Sequence, residues 1–301
     1  MRTSGPLLCI GSGAAFGVMA IFGKLAYGEG ATVCTLLAVR FSLAALLFWT
    51  LILAGGHGHE VRALRRRDLV AGLALGACGY ALQSGCYFFA LERIDASLLS
   101  LLLYTFPAIV AAAAVAIGRE RLDRRRVVAL ALALSGLVLV VAGAGPGRLD
   151  ALGAALGLGA ACVYSTYILV SDGVTHRVGA RLLAALVCTG AAFSLTVGSA
   201  ALGVLRPGEL TTAGWGWLAC IALVSKVGAI SLFFAGLRRV GPTTASILAT
   251  VEPVVTVVLA FLAFGETMGP MQLAGGALVL SAVLTLNIQR VRSARVAHAP
   301  A

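Results

Sequence analysis

The sequence predicts an all-α integral membrane protein of ten transmembrane helices, arranged as two inverted five-helix repeats. Three observations support this fold class. Of the 301 residues, 60% are hydrophobic and only 12% are charged, which departs strongly from a soluble globular domain. The charged residues lie in clusters between long apolar stretches. The second half of the chain also repeats the residue pattern of the first.

The apolar stretches have the length that a membrane requires. A hydrocarbon core about 30 Å thick needs roughly 20 apolar residues in each helix that crosses it. We predict helices at residues 7–27, 32–54, 69–89, 96–117, 127–143, 151–171, 182–204, 213–235, 243–264 and 270–288. The first stretch resembles a signal peptide, but residues 11–20 belong to the repeat, so we expect it to be retained. No remaining segment is long enough for a soluble domain.

The repeat becomes visible when the sequence is shifted against itself by 146 residues without a gap. The coinciding pairs include Gly11 and Gly157, Gly13 and Gly159, Ala14 and Ala160, Ala15 and Ala161, Arg93 and Arg239, Ser100 and Ser246, Pro107 and Pro253, and Glu120 and Glu266. A duplication explains this pattern. We therefore divide the chain into a first repeat (1–146), a second repeat (147–292) and a cytoplasmic tail (293–301). Five crossings reverse the chain direction, so the second repeat is inverted, as in many secondary transporters.

The net charge of +11 is unevenly distributed over the predicted connections. About 17 basic residues fall on one side of the predicted topology, and only Arg93, Arg148 and Arg206 fall on the other. By the positive-inside rule, the basic side faces the cytoplasm. We therefore predict a multi-pass protein of the cytoplasmic (inner) membrane with both termini in the cytoplasm. The basic clusters are interpreted as topology signals that contact anionic lipids, and we expect no nucleic-acid partner.

Catalytic and metal-binding patterns are not evident in the sequence. The seven cysteines lie in or at the ends of apolar stretches, without metal-ligand spacing, and are interpreted as packing residues. His57 and His59 are spaced to share a metal ion, but no third ligand is evident, so solvated loop residues are the favoured interpretation. We predict no enzyme activity, no catalytic residues, no metal and no cofactor.

Ionisable residues inside the predicted helices are functional candidates, because a charge at membrane depth must be paired or hydrated. Lys24 lies near the outer end of helix 1 and is expected to extend to water. Arg40, Lys226 and Glu252 lie deeper. Lys226 and Glu252 are predicted at one depth on helices 8 and 9, so we expect an ion pair, with Arg40 near enough to compete for Glu252. A purely structural pair is the alternative.

Two prolines occupy equivalent positions in the repeats. Pro107 and Pro253 each remove a backbone amide and weaken the helix. Freed backbone groups at membrane depth need protein or water partners, which makes both prolines candidate gating elements. Ordinary tolerated kinks are the alternative.

Polar and aromatic side chains predict an internal cavity. A phenol in hydrocarbon needs a polar partner, and residues at i, i+3, i+4 and i+7 share one helix face. The candidates for substrate binding on this basis are Tyr80, Gln83, Ser84 and Tyr87 of helix 3, Tyr104 of helix 4, and Tyr164 and Tyr167 of helix 6. We expect the tyrosines and Gln83 to line one central pocket.

Small residues form two matching faces on helices 1 and 6. They comprise Gly11, Gly13 and Gly17 on the first, and Gly153, Gly157 and Gly159 on the second. Small residues allow close helix approach in lipid. We interpret these faces either as sites of dense packing or as surfaces along which helices slide.

Six short motifs carry a family resemblance. They are Ala38-Val39-Arg40-Phe41, Leu103-Tyr104-Thr105-Phe106-Pro107, Gly118-Arg119-Glu120, Leu237-Arg238-Arg239-Val240-Gly241, Val251-Glu252-Pro253-Val254 and Phe264-Gly265-Glu266. They resemble motifs of the drug/metabolite transporter superfamily, EamA type, over both halves of the chain. The resemblance implies a central cavity built mainly from helices 1, 3, 4, 6, 8 and 9, alternating access, and usually export of amino acids, metabolites or toxic compounds. The sequence departs from the family at Lys226, where a small or hydroxyl residue is more usual.

Two classes of function stay open. The first is an exporter of small metabolites, in which the polar aromatic set and Lys226 bind a small-molecule substrate. Arg40, Pro107, Glu252 and Pro253 then act in coupling or gating, with protons as the candidate coupling ion. The second class is a non-transporting membrane protein, either an intramembrane enzyme or a structural partner. The lipid bilayer is the expected environment in both cases, and a homodimer stays open.

Overall fold

The computed structural model describes residues 4–56, 58–118, 123–144 and 150–297. Long helices dominate these ranges, and we number them α1 to α10. They are α1 (Ser4–Gly17 and Met19–Gly28), α2 (Val33–Ala54), α3 (Arg66–Leu91), α4 (Ala96–Leu103 and Phe106–Ala116), α5 (Arg124–Ala142), α6 (Ala151–Val178), α7 (Ala180–Ala201), α8 (Thr212–Val240), α9 (Pro242–Ala249 and Val251–Phe264) and α10 (Pro270–Ala297). Short helical turns at Gly58–Arg62 and Pro207–Glu209 lie in the connections.

The number of membrane spans differs in one respect from the prediction. Within the described residues, nine helices are long and apolar enough to cross a membrane, and they correspond to α1 to α9. The tenth predicted span lies in α10, of which Pro270–Leu286 forms a shorter apolar helix. An all-α integral membrane protein is therefore confirmed, whereas a count of ten full spans stays a prediction.

Side-chain caps fix where several helices begin. The first amide groups of a helix lack partners inside it, and Thr or Asp side chains at the N-cap accept from them. Such bonds occur at Thr32 (from the Thr35 amide, 3.2 Å), Asp123 (Arg126, 2.8 Å), Asp150 (Gly153, 2.7 Å) and Thr211 (Gly214, 3.1 Å). They define the starts of α2, α5, α6 and α8 at the ends of the apolar stretches.

Helices of the two halves pack against each other across their interface. The first helix of each half packs against the third helix of the other, so α1 contacts α8 and α6 contacts α3. A Cβ atom on Gly5, at the start of α1, would lie 2.6 Å from Val240 at the end of α8. A Cβ atom on Gly153, at the start of α6, would lie 2.7 Å from Ile94, just beyond the end of α3. Since three crossings separate the start of α1 from the end of α3, α1 and α6 run in opposite directions.

The predicted glycine faces are points of close helix contact. A Cβ atom on Gly17 would lie 2.7 Å from the carbonyl oxygen of Glu252 in α9, and one on Gly157 would lie 3.1 Å from Leu102 in α4. The first distance, to a backbone atom, is too short for a larger side chain in the present packing, whereas the second requires the leucine side chain to shift slightly. Gly11 and Gly159 would meet their nearest neighbours only at 3.8 Å. Dense packing therefore describes part of each face.

Matching interruptions of the helices position the central residues. α3 and α8 each contain a π-helical turn, at Leu75–Tyr80 and Leu223–Gly228. α4 is interrupted between Leu103 and Phe106, and α9 is interrupted at Thr250. π-turns are rare and often occur at functional sites. The four interruptions surround the space between the halves.

Candidate functional site

A cavity of about 900 Å³ lies between the two halves, within the size range of small-molecule sites. Its walls come from the helices that the family resemblance implied, α1, α3, α4, α6, α8 and α9, and also from α2, α5 and α10. The additional helices contribute few residues, namely Arg40, Arg126, Val283 and Leu286. The cavity reaches Arg126 in the first turn of α5, at the basic end of the helices.

Most of the predicted site residues belong to the cavity wall. Those that line it are Tyr80, Gln83, Ser84, Tyr87, Tyr104, Tyr164, Lys226, Arg40, Pro107 and Glu252. Tyr167 and Pro253 are not among the lining residues. The ring of Tyr167 packs behind the wall, 5.3 Å from the ring of Tyr80 and 6.2 Å from that of Tyr164. Tyr167 therefore contacts two lining tyrosines from behind in this conformation.

Lys226 is positioned by the π-turn of α8 and is 6% exposed. Its ammonium group donates a 2.6 Å hydrogen bond to the hydroxyl of Tyr80, which ends the π-turn of α3. The same nitrogen lies 3.8 Å from the Tyr80 ring centroid and 5.6 Å from that of Phe41. Aromatic faces attract cations. Lys226 is thus stabilised by one hydroxyl and two aromatic rings.

The predicted ion pair between Lys226 and Glu252 is wrong for this conformation. Both residues line the cavity, yet no ion pair joins them within the described parts of the chain. Lys226 is bound to Tyr80, whereas Glu252 accepts a 3.0 Å hydrogen bond from Tyr104. The sequence predicts the depth of a residue in the membrane, but it does not determine how each helix is rotated about its own axis. The π-turn in α8 changes which face the residues around Lys226 occupy.

Arg40 does not compete for Glu252 either. Its side chain is 3% exposed, and its guanidinium carbon lies 4.7 Å from the ring centroids of both Phe41 and Phe88. A nitrogen of the group also contacts the sulfur of Met19 at 3.7 Å. No carboxylate forms an ion pair with Arg40 in the described ranges. A buried guanidinium that lacks a charged partner is costly.

The interruption of α9 is satisfied by a side chain of α4. Pro253 has no amide N–H, so the carbonyl of Ala249, four residues earlier, loses its helical partner. The hydroxyl of Tyr104 lies 3.1 Å from this carbonyl oxygen and 3.0 Å from a carboxylate oxygen of Glu252. Tyr104 therefore links the ionisable group to the helix break. Its single proton is shared between two acceptors whenever Glu252 is ionised.

Two hydrogen-bond donors of the cavity have no protein partner among the described residues. The hydroxyl of Ser225, next to Lys226, is buried and unpaired. The side-chain oxygen of Gln83 accepts a 3.2 Å bond from Ser84, and the amide nitrogen of Gln83 makes no hydrogen bond within the described ranges. Buried polar groups are normally paired. These donors are suited to contact a ligand or water.

A polar cluster that sequence reasoning missed lies at the end of the helices opposite to Arg126. Glu266 accepts hydrogen bonds from the amides of Ala96 (3.1 Å) and Ser97 (3.0 Å) at the start of α4, and from the Ser97 hydroxyl (2.9 Å). Lys24 donates to the same carboxylate at 2.6 Å. Lys24 therefore pairs with Glu266, and its side chain keeps 21% exposure beside the exposed Asp95, which lies at 3.9 Å. The repeat offset had marked Glu266, but its equivalent Glu120 lies outside the described residues.

Partial burial raises the pKa of Glu266, but this effect is outweighed. Hydrogen bonds from Lys24, from the amides of Ser97 and Ala96, and the nearby ammonium charge favour the carboxylate. The resulting pKa of Glu266 lies below its ordinary value. The cluster is therefore ionised and intact at neutral pH.

The family assignment follows from comparison with known proteins. Residues 3–142 and 151–288 each match the EamA-like transporter family. The chain belongs to the EamA-like transporter family. One match lies in each half of the chain.

Relatives of this EamA-like chain carry transporter names. It is 25% identical over 286 residues to "Uncharacterized transporter YcbK" of Bacillus subtilis (strain 168), covering 93% of this chain and 91% of that protein. It is 28% identical over 200 residues to an "Uncharacterized transporter" of Archaeoglobus fulgidus, covering 66% and 69%. A solved structure titled "Crystal structure of protein" superposes with a TM-score of 0.64 at 18% identity, over 97% of this chain and 99% of that one. The solved structure supports the fold, and the family supports a membrane transporter.

The EamA-like cavity contains no metal-binding group in the part of the chain that the structure describes. No three His, Cys, Asp or Glu side chains approach one another there. His57, one member of the pair considered as metal ligands, lies outside the described residues. The side chains described above offer hydrogen bonding, charge pairing and aromatic contact at this site.

Proposed function

We propose that the protein is a secondary transporter of the cytoplasmic membrane that exports small metabolites, such as amino acids or toxic compounds, by alternating access. The observation that carries this proposal is a central cavity of about 900 Å³ that extends to one end of the helices, where Arg126 and Leu286 line it. By the positive-inside rule this basic end faces the cytoplasm. The structure then corresponds to a conformation that accepts cargo from inside the cell.

Closure at the opposite end supports the same proposal. The hydrogen bonds of Glu266 tie Lys24 of α1 to the start of α4. The cavity wall includes none of these residues. Release of cargo to the outside requires this cluster to open, so Lys24 and Glu266 act as an outer latch.

The substrate-binding residues in this proposal are the lining tyrosines, Gln83, Ser84 and Lys226, with Tyr167 supporting them from behind. Arg40, Pro107, Glu252 and Pro253 act in coupling or gating. Glu252 is suited to proton coupling because its carboxylate shares the Tyr104 hydroxyl with the carbonyl freed by Pro253. When Glu252 takes up a proton, it donates to Tyr104, and Tyr104 donates fully to Ala249. Protonation thus changes the hydrogen bonds at the α9 interruption.

Reconstituted vesicles test this function. Purified protein is inserted into vesicles loaded with labelled amino acids or other metabolites, and efflux is measured with and without an imposed pH gradient. We expect efflux above that of protein-free vesicles, and we expect the gradient to change its rate. Efflux no faster than in protein-free vesicles for every compound of a wide panel would contradict the proposal.

A further inference from the structure

Several strong hydrogen-bond donors of the cavity are not fully used by the protein. Arg40, Lys226, Gln83 and Ser225 present donors that are unpaired or only partly paired within the described residues. A guanidinium has five donor hydrogens and an ammonium has three. Lys226 uses one of its hydrogens for Tyr80. A ligand that fits this surface must therefore carry strong acceptors.

The charges of the cavity wall also favour a ligand that carries acceptors. Among the described residues, three cations line the cavity, Arg40, Lys226 and Arg126, and Glu252 is the one lining carboxylate. Arg126 lies at the mouth, whereas Arg40 and Lys226 lie deep inside. Both deep cations contact the same aromatic ring, at 4.7 Å and 5.6 Å from the centroid of Phe41. Arg40 and Lys226 therefore lie on the same side of the cavity.

Two like charges near one ring repel each other, and this repulsion is weakly screened where water is scarce. Glu252 offsets only one of the two charges, and it forms no ion pair with either cation among the described residues, because its carboxylate is bound to Tyr104. With Glu252 ionised, the deep part of the cavity keeps an excess positive charge of one. An anion bound beside Arg40 and Lys226 would neutralise this charge and supply the missing acceptors.

We propose that the cargo is a small organic acid of net charge −1, whose carboxylate binds between Arg40 and Lys226. This inference rests on the proposed transport function and names its substrate class. A carboxylate has two oxygens that accept about four hydrogen bonds, and it replaces the cation–ring contacts as the main partner of both groups. Tyr80 holds Lys226 in place for this contact.

The rest of the wall indicates an apolar body for this acid. Tyr87, Phe88, Phe106 and Tyr164 surround the cavity, and Phe106 packs against Tyr164 with ring centroids 4.8 Å apart. Aromatic walls contribute most of the contact area for small ligands, while a few polar groups fix their orientation. The geometry therefore suits a carboxylate attached to an aromatic or aliphatic group.

Binding to the purified protein tests the charge requirement directly. We choose three probes with one carbon skeleton: 3-phenylpropionate (charge −1), 3-phenylpropionamide (uncharged) and 3-phenylpropylamine (charge +1). The readout is the shift in unfolding temperature with increasing probe, since a ligand that binds the folded state raises stability. We expect the carboxylate to raise the unfolding temperature and the other two probes to have little effect. An equal or larger shift with the amide or the amine would overturn the proposal.

Variants locate the anion in the cavity. Lys226→Gln and Arg40→Gln should each weaken binding of 3-phenylpropionate about tenfold or more, because each removes a charge-assisted hydrogen bond. Arg93→Gln is the matched control, since Arg93 forms an exposed ion pair with Asp150 and neither residue lines the cavity. Arg40→Lys keeps the charge and should retain part of the binding. Undiminished binding by both glutamine variants would exclude this site. If the variants do not fold, the ranking of the three probes on the unmodified protein still tests the charge requirement.

An efflux experiment separates failure of this inference from failure of the transport function. Vesicles containing the protein are loaded with a small-molecule extract of bacterial cells, and the compounds that leave are identified by mass spectrometry. We expect compounds that leave faster than from protein-free vesicles to be mainly carboxylic acids of net charge −1. Protein-dependent efflux of mainly neutral or cationic compounds would leave transport standing and overturn the anion site. No protein-dependent efflux of any compound would contradict the transport function itself.

Discussion

Lys226 donates a 2.6 Å hydrogen bond to Tyr80, and the two residues are 146 positions apart, which is the offset of the internal repeat. Equivalent positions of two halves related by a two-fold axis come into contact only where they lie close to that axis. The contact therefore marks the axis inside the cavity. At this point the duplicated halves supply unlike side chains, a phenol and an ammonium, so the symmetric scaffold holds an asymmetric site.

The first prediction concerns this contact. Tyr80→Phe removes the hydroxyl acceptor of a buried ammonium, so we expect the protein to lose about 1.5–3 kcal/mol of stability. In a Lys226→Met background the ammonium is absent, and adding Tyr80→Phe should then cost much less. Unfolding of the four proteins of this double-mutant cycle in detergent provides the measurement. Strictly additive losses would show that the two side chains are not coupled.

The second prediction concerns the contact between the last helices of the two repeats. A Cβ atom on Gly136 of α5 would lie 2.7 Å from the carbonyl oxygen of Gly275 in α10, and one on Gly275 would lie 2.6 Å from that of Gly136. Gly136→Ala should therefore force α5 and α10 apart and lower stability by about 1–3 kcal/mol.

Gly198→Ala is the matched control for this substitution. Gly198 lies in α7 with open space around its Cβ position, so alanine there should be neutral or slightly stabilising. Thermal unfolding of both variants provides the measurement. Equal stability of Gly136→Ala and the unmodified protein would contradict the close packing of α5 and α10.

The sequence predicted the helices well because length and hydropathy determine what crosses a bilayer. Residues 32–54 and 96–117 were predicted as spans, and the helices are Val33–Ala54 and Ala96–Ala116. Proline chemistry likewise predicted interruptions near Pro107 and Pro253. Polar aromatic residues at membrane depth predicted a cavity, since such groups avoid lipid.

Helix rotation and long-range partners could not be predicted from the same patterns. Lys226 and Glu252 share a depth, but the π-turn at Leu223–Gly228 sets the direction of the lysine, and apolar periodicity does not encode it. The bond between Lys24 and Glu266 joins residues 242 positions apart. One signal was available: Tyr80 and Lys226 coincide when the repeats are aligned, which would have suggested their contact near the axis.

The third prediction is the orientation in the membrane. In a variant without native cysteines, Glu92→Cys and Glu209→Cys should react with a membrane-impermeant thiol reagent in intact cells. Arg62→Cys and Arg239→Cys should react only after the membrane is permeabilised, because basic connections face the cytoplasm. Labelling of all four positions with and without permeabilisation provides the measurement. The reverse pattern would invert the topology and the direction in which the cavity opens.

The fourth prediction is the pH dependence of the outer latch. The pKa of Glu266 is lowered in the folded protein, so its ionisation stabilises the folded state above the unfolded pKa of about 4.3. This contribution is lost as pH falls through the lower, folded pKa. We therefore expect Glu266→Gln to lower the unfolding temperature at neutral pH, and the difference from the unmodified protein to shrink only in strong acid.

Glu92→Gln is the control for the latch, because Glu92 is exposed and forms no ion pair among the described residues. Unfolding temperatures of the three proteins are compared between neutral pH and about pH 3, which lies below the ordinary glutamate pKa. A difference for Glu266→Gln that is the same at both ends of this range would show that ionisation of the carboxylate contributes nothing to the latch.

The last prediction concerns proton coupling at the interruption of α9. A carboxylate at Glu252 shares the Tyr104 proton with the Ala249 carbonyl, at 3.0 Å and 3.1 Å. Glutamine still accepts from Tyr104 through its amide oxygen, but it cannot take up or release a proton. We therefore expect Glu252→Gln to remain folded and to move cargo at a rate that no longer depends on the pH gradient. Tyr104→Phe should weaken the same dependence, because it leaves the carbonyl freed by Pro253 without its partner.

Efflux from vesicles with and without a gradient measures both effects, with Glu92→Gln as the matched carboxylate-to-amide control. The comparison separates two roles of Glu252. If its role is purely structural, the substitution should lower the efflux rate equally with and without the gradient. A proton carrier would instead lose only the part of the rate that the gradient adds. If efflux by Glu252→Gln depended on the gradient as strongly as efflux by the unmodified protein, the hydrogen bond between Tyr104 and Glu252 would serve helix packing alone. The coupling proton would then have to bind elsewhere.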